Sequence, residues 1–217
     1  SALDANTTAD NNTAVGGVAL TTNTTGASNT AVGQASAFSQ TTGAGNVAVG
    51  LNALYYNVTG GANVAVGTSA LTGASGQSHT GNVAIGQAAM IVNTTGGSNV
   101  AVGAYALDAN TTASNNSAVG YGALGANTTG TYNTAVGWSA LLKNTTASFN
   151  TAVGESALIN TTTGANNTAV GQSALNANTT AGANTGVGFE AMKANTTGAN
   201  NTAVGIRTLD ANTTGGS

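Results

Sequence analysis

Asn133-Thr134-Ala135-Val136-Gly137-Trp138-Ser139-Ala140-Leu141-Leu142-Lys143-Asn144-Thr145-Thr146-Ala147-Ser148-Phe149 is followed at once by Asn150-Thr151-Ala152-Val153-Gly154, so the phrase restarts after one repeat. Working outward in both directions, Ala-Val-Gly or a close variant ends at Gly16, Gly33, Gly50, Gly67, Gly86, Gly103, Gly120, Gly137, Gly154, Gly171, Gly188 and Gly205. Every interval is 17 residues except that from Gly67 to Gly86, which is 19, and the two extra residues fall within 72–81. A period of 17 is too short for helix-pair repeats and fits one coil of short strands and turns. The fold this predicts is all-β: a single parallel β-solenoid of about 12 coils filling residues 1–217 as one domain, with the insertion in a corner loop. Coils stacked at the strand spacing of about 4.8 Å would set like residues in columns.

The columns carry the next inference. Four residues before each glycine stands Asn12, Asn29, Asn46, Asn63, Asn82, Asn99, Asn116, Asn133, Asn150, Asn167, Asn184 or Asn201. A second Asn column, seven after the glycine, includes Asn6, Asn23, Asn110, Asn127, Asn195 and Asn212. Stacked carboxamides can hydrogen-bond along a solenoid, and Asn tolerates the left-handed backbone that corners require, so both columns are expected to brace the coil. Asn-Thr-Thr is also a formal N-glycosylation acceptor, which matters only in a source that glycosylates.

Within the strand, Val or Ile one before the glycine and Thr, Val or Ser three before it share a face by the two-residue alternation of strands. That face is expected to be the interior. The column between them, Ala14, Ala31, Ala48, Ala65, Ala84, Ala101, Ala118, Ala135, Ala152, Ala169 and Ala203, with Gly186 in the remaining coil, would then form a smooth outward stripe for lateral packing. The Ala-Leu pair, as in Ala140-Leu141, supplies the second apolar anchor. Two large aliphatic side chains per coil are a thin interior, so self-association through the Ala stripe is expected.

Composition limits the partners. Three basic residues, Lys143, Lys193 and Arg207, stand apart from one another among only six acids, and nucleic-acid binding needs clustered cations, so no nucleic acid is expected. Cys is absent, which removes disulfide and thiolate chemistry. No apolar run approaches the roughly 18 residues of a membrane helix, and no secretion leader is recognisable at the start, so this segment is expected not to be membrane-inserted.

With these columns in place, Asn46-Val47-Ala48-Val49-Gly50, Asn82-Val83-Ala84-Ile85-Gly86 and Asn116-Ser117-Ala118-Val119-Gly120 resemble the head repeat of YadA-like trimeric autotransporter adhesins. The longer form, Asn133 to Leu141 followed by Asn144-Thr145-Thr146, is similar to repeats of phage tail-fibre and surface proteins that often precede a self-cleaving chaperone domain. The resemblance covers the whole chain. It implies a left-handed β-roll, three rolls side by side as a trimer, a cell-surface, extracellular or virion tail-fibre setting, and attachment to surfaces, host or environmental glycans among them. The adhesin head repeat is usually shorter, and no neck, coiled-coil stalk, anchor or chaperone segment is recognisable in this sequence.

Residues that could carry chemistry are sparse. Asp4, Asp108 and Asp210 share a column but lie about six coils, roughly 29 Å, apart, too far to share a proton, a substrate or a metal. The calcium-binding solenoid motif is absent, and the one histidine, His79, is expected in a solvated corner loop beside Ser75, Gly76 and Ser78. The sequence therefore predicts no enzyme, no catalytic residue, no metal and no cofactor. Tyr121 and Trp138 are one period apart, as are Tyr132 and Phe149; each pair should stack between coils on an outer face, where it is a candidate surface contact. Glu190 and Arg207 should pair by the same rule.

The function expected is a structural or adhesive fibre module. The alternative is an ice-binding solenoid using the Thr rank of the Asn-Thr-Thr phrase, as at Thr8, Thr25, Thr42, Thr95, Thr129 and Thr214. Starting in the phrase Ser1-Ala2-Leu3 and stopping after Asn212-Thr213-Thr214, the sequence reads either as an excerpt of a longer fibre or as a subunit that adds end to end into a filament.

Overall fold

The computed structural model describes residues 1–216, and all of its regular structure is β. The chain forms two compact units, each a parallel β-solenoid. The first, Ser1–Thr112, holds β1 (Thr13–Val15), β2 (Thr30–Val32), β3 (Val47–Val49), β4 (Val64–Val66), β5 (Val83–Ile85) and β6 (Val100–Val102). The second begins at Ala113 and holds β7 (Ser117–Val119), β8 (Thr134–Val136), β9 (Thr151–Val153), β10 (Thr168–Val170), β11 (Thr185–Val187) and β12 (Thr202–Val204). Within each unit every strand pairs in parallel with its sequence neighbours, one period out of step, as in Thr13↔Thr30 and Thr134↔Thr151.

Three-residue strands leave most of each coil to corners, and the corners are demanding. In the coil around β8, Tyr132 (φ 56°), Ser139 (φ 54°) and Leu141 (φ 52°) all adopt the left-handed conformation, which costs a non-glycine residue about 1–2 kcal/mol. Hydrogen bonds to adjacent coils offset this cost: the Ser139 N–H donates to Tyr121 O at 2.9 Å, and the Leu141 N–H to Ala157 O at 3.0 Å. The glycine that ends the strand has a different reason. At Gly137 (φ 137°) a Cβ would lie 2.5 Å from Gly154 O, so the next coil's backbone leaves no room for any side chain. The bracing Asn residues are not themselves left-handed, contrary to the expectation above; the residue before them is, as at Asn11, Asn115, Asn166 and Asn200.

The strand faces are the reverse of the expectation. Ala31, Ala48, Ala65, Ala84, Ala101, Ala118, Ala135, Ala152 and Ala169 are fully buried and Ala203 nearly so, while Ala14 in the first coil is half-buried. The Ala column is therefore the inner wall and not a lateral packing stripe. The flanking Val, Ile, Thr and Ser columns face outward. Depth explains the inversion. Leu20, Leu54, Leu71, Met90, Leu107, Leu124, Leu141, Leu158, Leu175 and Met192 reach in from the following turn, all fully buried. At Gly186, in the Ala column, a Cβ would sit 3.3 Å from Leu175 Cγ. The leucine fills the coil up to the strand and leaves space for one methyl, so larger β-branched residues go outside.

The insertion is local. Tyr56 N–H donates to Thr72 O, spaced like the regular coils, whereas Val58 N–H donates to Gln77 O, already displaced by the extra residues, so the added length lies at 74–76, around the Ser75-Gly76 turn. Register is regained by β5, where Val64 pairs with Val83.

Candidate functional site

The Asn columns are the most highly bonded part of the molecule. In the first column each carboxamide links three chain segments. Asn133 Nδ2 donates to Ala147 O at 2.9 Å and to Asn116 Oδ1 at 3.2 Å, while its Oδ1 accepts the Asn150 N–H at 3.0 Å. The full pattern recurs at Asn46, Asn63 and Asn82 in the first unit and at Asn167 in the second, while Asn29, Asn150 and Asn184 keep the bond from Nδ2 to the carbonyl and the bond from the next Asn N–H to Oδ1. In the second column Nδ2 closes its own turn, as from Asn144 to Ala147 O at 3.0 Å, and reaches the previous coil at Asn127 Oδ1, 2.8 Å away. Asn23, Asn127, Asn144 and Asn195 head Asn-Thr-Thr phrases and are fully buried, so in the folded chain these acceptor sequences are closed to a glycosyl donor.

His79 is buried, with 1% exposure, and not in a solvated loop. The irregular coil lacks an Asn in the second column, and His79 fills the gap: its N–H donates to Asn57 Oδ1 and its carbonyl accepts Asn63 Nδ2, the role Gly60 plays one coil earlier. Neither ring nitrogen has a hydrogen-bond partner, and burial pushes the imidazole pKa down to about 4, keeping it neutral. Asp108 is partly buried, and desolvation raises its pKa despite the backbone N–H groups of Asp108 and Ala109. Asp4, in the same column, is exposed and accepts a hydrogen bond from Ser1 Oγ. Among the described residues no cluster of three or more His, Asp or Glu could hold a metal ion.

The stacked aromatics form as the period requires. Tyr121 and Trp138 lie 6.5 Å apart at 12°, and Tyr132 and Phe149 lie 5.3 Å apart at 2°. All four are more than half exposed. Tyr132 precedes β8 and Trp138 follows it, so the two stacks flank the outward strand face. In the second unit that face carries Val119, Val136, Val153 and Val170, each more than a third exposed, beside the half-buried Thr134, Thr151, Thr168 and Thr185. Arg207 Nε donates to Glu190 Oε2 at 2.8 Å, and Lys193 also pairs with Glu190; together the two cations hold the Glu190 carboxyl below the usual range. Phe38 and Tyr55, also one period apart, stack at 5.0 Å, a pair the sequence reading passed over.

The Thr ranks divide. Hydroxyls of the first Thr in Asn-Thr-Thr donate to backbone carbonyls one coil on, as from Thr128 to Thr145 O and Thr145 to Thr162 O. The second Thr is exposed, as at Thr25, Thr42, Thr95, Thr129, Thr146 and Thr180. No family model, curated protein or solved structure matches the chain.

Proposed function

We propose that the chain is a non-catalytic structural and adhesive module of an extracellular fibre, on a cell surface or a virion tail, that associates laterally with copies of itself as a trimer. The observation that carries this reading is the outward strand face of the second unit, where Val119, Val136, Val153 and Val170 recur at one coil spacing and stand uncovered. A row of exposed β-branched residues on a flat sheet is a cost in an isolated chain and a self-complementary surface in an oligomer. The stacked aromatics at its margins extend the same apolar surface.

Light scattering on the purified protein tests it. The expected mass at micromolar concentration is three times that of one chain, and Val136→Lys with Val153→Lys should lower it to one chain without loss of β signal. A monomeric wild-type protein would overturn the proposal.

Ice binding is the second reading. It draws on the exposed rank of second threonines, which is a single rank because the neighbouring hydroxyls are bonded to the backbone. Recrystallisation inhibition by the wild type, abolished by Thr129→Lys and Thr146→Lys, would favour it over adhesion.

A further inference from the structure

The irregular coil leaves a groove of about 330 Å³ in the first unit, lined by Asn52, Tyr55, Tyr56 and Thr72. Its origin is a step in one column. Phe38 and Tyr55 occupy successive coils as a stacked pair, and the next coil places Thr72 followed by Gly73 there, so the aromatic wall ends above a low floor. The wall is fixed: Tyr55 is held face to face with Phe38 and edge-on to Tyr56 at 4.5 Å. The floor is fixed as well, because the single Thr72 hydroxyl proton is shared between Ser69 O at 2.9 Å and Asn52 O at 3.2 Å, and Thr72 O accepts the Tyr56 N–H.

What is left over for a ligand is specific in kind. Among the described residues, the Asn52 carboxamide and both phenol hydroxyls have no protein partner, and the Thr72 hydroxyl, its proton already committed, offers a lone pair. No charged side chain lines the groove. Preformed aromatic faces beside uncommitted neutral hydroxyl and amide groups match a ligand with an apolar C–H face and a rim of hydroxyls. We infer that this groove binds a neutral hexopyranose, as the terminal unit of a surface glycan. The inference rests on the adhesive part of the reading above and gives it a contact chemistry; it is independent of lateral assembly, because the groove lies on the turns after the strands and not on the outward strand face. The same volume would take a short peptide, but two free phenols and a free carboxamide without any charge favour a polyol.

Saturation-transfer NMR on the full chain tests this, with the methyl glycosides of glucose, galactose, mannose and N-acetylglucosamine and with N-acetylneuraminic acid as the charged probe. At least one neutral glycoside should receive saturation at its ring C–H protons at ligand concentrations up to about 10 mM. Tyr56→Ala should weaken that binding by about tenfold or more. Thr72→Tyr, which fills the groove from its floor, should abolish it, and Glu155→Gln, an exposed position in the second unit, should leave it unchanged. Tyr55→Ala provides a second reading of the wall should Thr72→Tyr misfold. Silence from every neutral glycoside, a preference for N-acetylneuraminic acid, or binding indifferent to Tyr55→Ala and Tyr56→Ala would overturn the inference. Light scattering on the same samples separates the two proposals: a monomer that binds sugar refutes trimerisation alone, and a trimer that binds none refutes the groove alone.

Discussion

Replacing Asn133 by Ala should cost about 3–5 kcal/mol, a large effect for a side chain of its size. The figure follows from what the carboxamide does. Its Oδ1 is the acceptor for the Asn150 N–H at 3.0 Å, and Asn150 is fully buried, so the substitution strands that donor without water. An orphaned buried N–H costs about 1–3 kcal/mol, and each of the two bonds from Nδ2 contributes about 1 kcal/mol more. The remaining partners are not orphaned: Ala147 O keeps Asn144 Nδ2 at 3.0 Å, and Asn116 Oδ1 keeps the Asn133 N–H at 2.9 Å. Asn133→Asp retains the acceptor but turns a carboxylate toward Asn116 Oδ1 and Ala147 O, so at neutral pH it should be worse than Ala and should recover in part as the carboxyl is protonated. Thr163→Ala, exposed in the following coil, is the control and should stay within about 0.5 kcal/mol of wild type. The assay is urea unfolding by circular dichroism at one protein concentration, with hydrogen exchange to localise the loss. A cost below about 1 kcal/mol for Asn133→Ala, or exchange at Asn150 no faster than in wild type, would refute the argument that the ladder bonds hold the coils together.

Gly186→Ala restores the residue its column otherwise carries and should stabilise the second unit by about 1 kcal/mol through lost chain entropy and one buried methyl, provided Leu175 yields the few tenths of an ångström that a contact at 3.3 Å requires; thermal unfolding checks it. His79 gives the first unit an acid sensitivity whose sign is fixed by its depressed pKa. The unfolded imidazole protonates near pH 6.5 and the folded one only near 4, so stability is complete above pH 6.5, falls by about 3 kcal/mol as the pH drops to 4, and is level below that as far as this group is concerned. His79→Phe should flatten that window in unfolding curves taken between pH 7 and 4.

The period made the solenoid, the register and the inter-coil aromatic stacks legible before any coordinates, because a fixed repeat dictates which residues become neighbours. The inside and outside of the strand were misread because Thr-Ala-Val is apolar on both faces and the larger apolar residue was assigned inward. The columns did hold the answer. The Val position admits Ile and the Thr position admits Val or Ser, whereas the Ala position admits only Gly186, which marks it as the column short of space. His79 was misplaced for a related reason: Ala74 stands where the second column would place an Asn, and nothing in the pattern marks the His79 side chain as the one buried in that coil. The groove escaped notice because it depends on an absence, the drop from Tyr55 to Thr72, and not on a motif.

The ladders have a direction as well as a period. In the first Asn column, backbone N–H groups of a later coil donate to the side-chain oxygens of the earlier one, as from Asn150 to Asn133 and from Asn167 to Asn150. Each finished coil therefore presents a row of waiting acceptors to the segment that follows it in the chain. The partners are one coil away in sequence, so no distant loop has to close before the next bond can form. Within a unit, order can advance like a zipper from the first completed coil, and a growing polypeptide could add one rung for every 17 residues delivered, long before its far end exists.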